Sequence, residues 1–289
     1  MEKKLKKLSK RVNFYLKNYL SKFNSSELTT PMKYGLFPGG KKIRSKIIFD
    51  VGSIFNVNKK NLFILAASVE AIHAYSLIHD DLPCMDDDIL RRGKPSTHIK
   101  FGESTAILAG NSLLTTAFEI LSDKNFKVEE KIKSRLINFL SRCSGQTGIA
   151  GGQYLDLSYE KKKVSLQKIL NMELKKTGKL FEFCCVAPLL LKKNKKHLNA
   201  FSKMGRDIGL LFQIVDDLID FKGKTKIAGK KTKKDIKKGK ATIIGLLGYE
   251  NTVKYTNKLK QNIFNKLRLH NNKANDLRET IKFIMERKK

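Results

Sequence analysis

Tryptophan is absent from this 289-residue chain, and cysteine and proline are scarce. The four cysteines form no CxxC pair and no spacing typical of zinc; they are Cys84, Cys143, Cys184 and Cys185. We expect them to be small buried side chains in a reducing compartment. The five prolines leave long stretches in which helices can continue unbroken.

Long apolar runs are also missing. No segment approaches about 18 uninterrupted apolar residues, so the sequence predicts no membrane span. The basic N-terminus, MEKKLKKLSKRVNFYL, lacks the apolar core and cleavage site of a secretory signal, and we therefore expect a cytoplasmic protein. Neither a Rossmann-type glycine fingerprint nor a Walker motif occurs, so nothing predicts nucleotide binding.

Acidic residues are few: 27 Asp and Glu stand against 59 Lys and Arg, a formal net charge of +32. This excess suits nucleic acid or another anionic surface. Only ten of the basic residues are arginine, however, and base recognition favours arginine and aromatic side chains. A basic helical nucleic-acid-binding protein therefore stays a competing hypothesis, and general lysine enrichment explains the charge equally well.

Apolar residues recur mostly at the spacing of one helix face. The pattern is clear in residues 62–72, 106–121 and 204–220, whereas alternating strand patterns are scarce. No composition break or repeat marks a domain boundary. The sequence predicts one all-α, multi-helix domain over residues 1–289, with loops at 31–42, 81–104 and 222–240.

Five aspartates fall between Asp80 and Asp88. Like charges this close repel one another unless a cation lies among them, and clusters of oxygen ligands suit a hard ion such as Mg²⁺. The alternative is a solvated acidic loop. His73 lies two helical turns before Asp80 and so shares its face, and we expect Pro83 to interrupt the helix, with residues 86–88 in a bent continuation.

A second acidic cluster, GLLFQIVDDLID, begins at Gly209. Asp216 and Asp220 are four residues apart and share a helix face, which Gln213 and the glycine extend backwards. Asp217 points about 100° away. Carboxylates alone would repel a phosphate, but two clusters that hold Mg²⁺ amid excess lysine and arginine predict an anionic substrate such as a diphosphate.

These motifs resemble the short-chain (E)-polyprenyl diphosphate synthases, most closely the bacterial farnesyl diphosphate synthases, over nearly the whole chain. The segments that carry the resemblance are GGKKIR (39–44), IHAYSLIHDDLPCMDDDILRRGKPSTH (72–98), GGQYLDL (151–157), KTGKL (176–180), GLLFQIVDDLID (209–220) and the loop Lys230–Thr242. One acid run occurs by chance, whereas two in this order among glycine, lysine and arginine motifs are specific.

The resemblance implies an isoprenoid synthase fold, a helical bundle around a central cavity, in which the two Asp motifs face each other and bind three Mg²⁺, with Mn²⁺ as the alternative ion. The implied metal ligands are Asp80, Asp86 and Asp216. The implied catalytic set adds Asp81, Asp217, Asp220, Lys176 and Lys230. A homodimer and small-molecule diphosphate substrates are implied as partners.

Two diphosphate sites are implied as well. The residues that match the isopentenyl diphosphate site are Gly39, Gly40, Lys41, Arg44, His73 and Arg92. Those that match the allylic diphosphate site are Arg91, Lys176, Thr177, Gln213, Lys230 and Lys240. The implied reaction is ionisation of the allylic diphosphate, attack by the isopentenyl double bond and loss of a proton to the departing diphosphate. No protein nucleophile is needed, and apolar walls keep water from the carbocation.

Product length rests on the resemblance alone. A bulky residue at Tyr75 goes with the C15 product, farnesyl diphosphate, although ideal helix geometry puts it about 140° from Asp80. Geranylgeranyl (C20) and geranyl (C10) diphosphate stay open as products, as do a terpene cyclase and a catalytically silent subunit as functions. Asp87 and Asp88 have no assigned role. The chain departs from the family pattern at Lys42, Ser45, Asn111 and Lys233.

Overall fold

The computed structural model describes residues 1–23, 25–227 and 242–287. Helices make up most of this part of the chain, and the one sheet in it has two strands of two residues each, which confirms the predicted all-α class. The chain forms two compact units, Met1–Phe139 with Ala187–Asn194, and Leu140–Val186 with Lys195–Lys289. The chain crosses from one unit to the other three times: inside the helix at 139–140, inside the helix at 186–187, and at the turn after Asn194. Because two of these crossings lie within helices, the boundary leaves no break in the sequence composition.

The first unit is built around α4. Its elements are α1 (Glu2–Leu20), a 3₁₀ turn (Ser21–Phe23), α2 (Thr29–Leu36), α3 (Ile43–Ile54), α4 (Lys59–Asp80), β1 (Leu90–Arg91), β2 (Lys94–Pro95), α5 (Thr97–Phe101), α6 (Glu103–Ser122) and most of α7 (Glu130–Ser144). Asn58 caps α4 by accepting the Lys60 N–H. Helices α1, α2, α3 and α6 all pack on α4, whose Leu65, Val69 and Ile72 are fully buried.

Helix α4 is also long and apolar enough, by length and composition, to cross a membrane. However, 78% of its most apolar window is buried inside the protein, which is the pattern of a core helix. No other helix in the described residues passes the same test.

The second unit contains the remaining helices, apart from residues 187–191 at the end of one of them, which belong to the first unit. The helices are α8 (Ile149–Tyr159), α9 (Leu166–Glu173), a π-helical turn (Leu174–Gly178), α10 (Lys179–Leu191), α11 (Leu198–Ile227), α12 (Ile243–Leu267), a 3₁₀ turn (Arg268–Ala274) and α13 (Asn275–Glu286). Helix α11 packs against α12, α13 and the π turn, and its Ile208, Leu211 and Ile214 are fully buried. The acidic motif of α11 therefore lies on a helix that is anchored by buried apolar side chains.

The predicted loops were partly wrong. Residues 31–36 are helical because Pro31 stands in the first turn of α2, where the ring is tolerated. Residues 81–104 include the β1–β2 hairpin, α5 and the start of α6. Helix α11 continues to Ile227, six residues into the third predicted loop, and residues 228–240 lie outside the described residues.

Candidate active site

The first acidic motif forms a tight turn after α4. The helix ends at Asp80, and the interruption expected at Pro83 is present: proline disfavours a helical backbone at Leu82 and supplies no N–H. Residues 86–88 follow in a turn and not in a continuation of the helix. Instead the chain folds back, and the Asp86 N–H donates to the Asp80 carbonyl at 2.8 Å. The turn places the backbones of the two predicted metal ligands side by side.

Asp81 has a different environment from Asp80 and Asp86. Its side chain is buried, and Arg91 Nε donates to both of its carboxylate oxygens, at 2.9 and 3.1 Å. Asp88, which had no assigned role, accepts a weaker bond from the same guanidinium at 3.4 Å. Burial disfavours the charge on Arg91, but the bonds to Asp81 outweigh it and raise the pKa of Arg91. Asp81 thus orients Arg91.

Arg91 and Arg92 lie at the tip of a β-hairpin, where Arg91 ends β1 and Arg92 begins the two-residue turn. Leu90 pairs with Pro95 and Arg91 with Lys94, and both turn residues have positive φ, 54° at Arg92 and 76° at Gly93. Such a turn matches the twist of the strands. Arg91 therefore binds Asp81 while Arg92 donates to the Gly39 carbonyl.

The loop before α3 approaches Arg92 closely. Gly40 has φ 108°, a conformation that favours glycine, and a Cβ there would displace the Arg92 guanidinium. Lys41 beside it is partly exposed. In the first turn of α3, Arg44 Nη1 lies 3.3 Å from His73 Nε2; since arginine has no acceptor, the imidazole nitrogen accepts.

His73 is neutral at physiological pH. Burial, followed by the charges of Arg44 and Arg92, holds the pKa of His73 well below its usual range. With Nε2 accepting from Arg44, the remaining ring proton is on Nδ1. His73 therefore adds a hydrogen-bond donor to this cluster of cations and no further charge.

Tyr75 is buried on the same helix. Its ring lies edge-on to His79, with centroids 5.5 Å apart, and His79 contacts the Ile107 carbonyl at 3.1 Å. Burial and the nearby Asp80 charge raise the pKa of Tyr75 to about 12, so the phenol stays protonated. Tyr75 therefore presents a fixed neutral ring near the acidic turn.

In the second unit, Gln213 links Asp217 to Thr177. Its amide nitrogen donates to Asp217 Oδ1 at 3.1 Å, one turn along α11, while its oxygen lies 3.2 Å from Thr177 Oγ1. Burial and the charges of neighbouring carboxylates, Asp216 first, raise the pKa of Asp217 to about 7, although the bond from Gln213 opposes the shift. Asp217 Oδ2 is buried and has no hydrogen-bond partner within the described residues.

This arrangement fits a divalent cation, whose charge would offset the crowded carboxylates and engage the orphaned oxygen. Among residues 1–23, 25–227 and 242–287, no group of three His, Cys, Asp or Glu side chains is placed to hold a metal alone. Mg²⁺ does not require one, because it commonly takes one or two carboxylates and completes its shell with water and substrate phosphate.

The sequence did not predict two charged residues that pair with predicted site residues. Arg287 donates to Asp216 Oδ1 at 2.7 Å and to the Phe212 carbonyl at 2.8 Å, and its guanidinium stacks 3.7 Å from the Phe212 ring. Asp156 accepts from Lys176 Nζ at 2.6 Å. No spacing rule could reveal either pair, because the partners lie 71 and 20 residues apart.

The π turn sets the direction of Lys176 and Thr177. It packs on α8, where a Cβ at Gly152 would overlap the Lys176 backbone, so the glycine of the GGQYLDL motif allows the close approach. The wide turn directs the Lys176 side chain to Asp156 and the Thr177 side chain to Gln213, and each pair forms a hydrogen bond. Two further predicted site residues, Lys230 and Lys240, lie outside the described residues, as does the departure at Lys233.

A family model described as Polyprenyl synthetase matches residues 25–283. The chain belongs to this family. It is 43% identical to the farnesyl diphosphate synthase of Escherichia coli (strain K12), over 79% of this chain and 77% of that protein. It is 35% identical to the geranylgeranyl diphosphate synthase of Cyanophora paradoxa, over 91% and 89%. The crystal structure of an FPP/GFPP synthase from Zymomonas mobilis matches with a TM-score of 0.86 at 33% identity, over 99% of this chain and all of that one.

Membership of the polyprenyl synthetase family confirms the resemblance inferred from the motifs, and the solved relative confirms the fold. The individual site residues stay predictions. The geometry divides them into two sets, each within one unit. The first set is Gly39, Gly40, Lys41, Arg44, His73, Tyr75, Asp80, Asp81, Asp86, Arg91 and Arg92. The second set is Lys176, Thr177, Gln213, Asp216, Asp217 and Asp220.

Proposed function

We propose that this enzyme is a Mg²⁺-dependent prenyltransferase that condenses isopentenyl diphosphate with dimethylallyl and then geranyl diphosphate, giving (2E,6E)-farnesyl diphosphate. The observation that carries the proposal is the split between the two arginines of the hairpin. Arg91 serves the acidic turn, whereas Arg92 joins Arg44 and His73 at the Gly39–Gly40 loop. A second cation cluster distinct from the acidic motif suits a second diphosphate, which a terpene cyclase does not need.

The proposed roles follow from charge and position. Asp80, Asp86 and Asp216 would hold Mg²⁺, which supplies Lewis-acid stabilisation of the leaving diphosphate when bound. Arg91 and Lys176, held by Asp81 and Asp156, would neutralise the charge that develops as the allylic C–O bond breaks. The isopentenyl double bond then forms the new C–C bond, and a proton leaves to the diphosphate. Arg44, Arg92 and neutral His73 would hold the isopentenyl diphosphate.

The direct test is a condensation assay. Purified protein with Mg²⁺, isopentenyl diphosphate and dimethylallyl diphosphate should release two diphosphates per farnesyl product, identified by chromatography, and EDTA should stop the release. No diphosphate release from either dimethylallyl or geranyl diphosphate would refute the proposal. We also propose a cytoplasmic homodimer, as expected from the sequence; sedimentation of the purified protein tests the oligomeric state.

The C20 product stays an alternative because the geranylgeranyl diphosphate synthase of Cyanophora paradoxa is among the relatives. Tyr75→Ala discriminates, because loss of a buried ring removes a fixed wall beside the acidic turn. We expect the main product to lengthen from C15 to C20 or beyond, measured by chromatography of the dephosphorylated alcohols. Tyr75→Phe keeps the ring and should keep C15. An unchanged C15 product from Tyr75→Ala would show that Tyr75 does not limit the chain.

A further inference from the structure

Glu70 is a buried carboxylate that no motif includes. It lies one turn before His73 on α4 and is 4% exposed. Its Oε2 accepts from Lys42 Nζ at 3.1 Å, and its Oε1 accepts from Ser45 Oγ at 2.6 Å. Burial opposes ionisation, but Lys42 and then Ser45 outweigh it and lower the pKa of Glu70. The group is thus a buried negative charge at neutral pH.

Both of its partners are positions where this chain departs from the family pattern. Lys42 supplies an ammonium and Ser45 a hydroxyl, and each donates to a different oxygen of the same carboxylate. The two departures therefore meet at Glu70.

Lys42 also has an unusual backbone. It precedes α3 with φ 47° and ψ 51°, a left-handed conformation that is unfavourable for a residue with a Cβ. Its side chain is almost fully buried in the pair with Glu70. Lys42 connects the Gly39–Gly40 loop to α3, where Arg44 lies. The ion pair with Glu70 holds Lys42 in place, so the path of the chain between the loop and Arg44 depends on that pair.

The surrounding charges explain why a carboxylate is needed. The charge of Arg44 contributes to the lowered pKa of Glu70, and the charge of Glu70 opposes the burial that lowers the pKa of Arg92, so both arginines lie close to the carboxylate. The two arginines and Lys42 carry like charges and repel one another. One buried negative charge offsets this repulsion before any substrate arrives. It leaves the cluster with a net positive charge that can accept a diphosphate.

We propose that Glu70 is a positioning residue for the isopentenyl diphosphate site, acting through Lys42 and Ser45 on the 39–44 segment without touching the substrate. The inference rests on the proposed function. Glu70→Gln keeps the shape but removes the charge. It should raise KM for isopentenyl diphosphate about tenfold, leave KM for geranyl diphosphate within about twofold, and change kcat less than KM.

A matched control is available on α3. Lys46 and Asp50 form another buried lysine–carboxylate pair, one helical turn apart on that helix. Asp50→Asn should lower the melting temperature at least as much as Glu70→Gln and leave both KM values unchanged. Ser45→Ala, which removes one neutral donor, should raise KM for isopentenyl diphosphate by a smaller factor and serves if Glu70→Gln fails to fold.

The outcomes separate the two proposals. If Glu70→Gln raised the KM values for isopentenyl and geranyl diphosphate equally, or if Asp50→Asn gave the same selective rise, the proposed role of Glu70 would be overturned. The proposed function would still stand in that case, provided that the wild-type protein turns over. Wild-type protein that neither turns over nor binds isopentenyl diphosphate in calorimetry would instead overturn the function. Selective weakening of isopentenyl diphosphate binding in Glu70→Gln, measured by the same calorimetry, would support the positioning role without relying on turnover.

Discussion

Replacing Asp216 with asparagine is expected to lower kcat about a thousandfold, because the change removes a proposed Mg²⁺ ligand and so several kcal/mol of charge stabilisation in the transition state. The substitution should fold, since the Asp216 side chain is 42% exposed. The measurement is steady-state turnover with saturating Mg²⁺ and both substrates, and a rate within tenfold of wild type would contradict the assignment.

Two controls separate the metal from the fold. Asp207 lies on the same helix and pairs with Lys266 at 2.5 Å, so Asp207→Asn should leave kcat unchanged. Arg287→Met removes the arginine that contacts Asp216 but keeps the carboxylate. It should lower kcat less than tenfold; a loss as large as that of Asp216→Asn would show that the aspartate acts through Arg287.

Arg91→Met is expected to lower the free energy of unfolding by about 3–5 kcal/mol, because it leaves the Asp81 carboxylate buried without its counterion. The double variant Arg91→Met/Asp81→Asn should recover part of that loss, since the amide carries no charge. Urea unfolding followed by circular dichroism measures both.

Arg92→Met is the matched control for this prediction. Arg92 follows Arg91 in the hairpin but donates to a neutral carbonyl, that of Gly39, so its loss strands no buried charge. We expect about 1 kcal/mol or less. If Arg91→Met were no more destabilising than Arg92→Met, the Asp81–Arg91 pair would not hold the acidic turn in place.

The helices were predictable because they are long and their apolar residues repeat with the helical period. Residues 62–72 and 204–220 lie in α4 and α11 as expected. The ends of the helices were harder to predict, and the expected loops at 31–42 and 222–240 overlap α2 and α11. A proline in a first helical turn and a lysine-rich helix end both have the composition of a loop, so composition alone does not identify them as helix.

At the candidate site, residue types were predictable and pairings were not. The Asp motifs and the two arginines stand out by composition, yet only the folded chain shows that Asp81 is buried and binds Arg91. Glu70 and Asp156 were missed for the same reason. Each is a single acid among apolar neighbours in sequence, and its lysine partner comes from another helix or the loop before one.

The π turn at Leu174–Gly178 is one residue longer than the α-helical turn that it replaces, and helix continues on both sides of it. Deleting one residue there would restore a regular helix and rotate one side about 100° relative to the other. Lys176 and Thr177 would then turn away from Asp156 and Gln213 although neither had been substituted. When related chains are aligned, a one-residue gap at this point is therefore as informative as loss of the lysine.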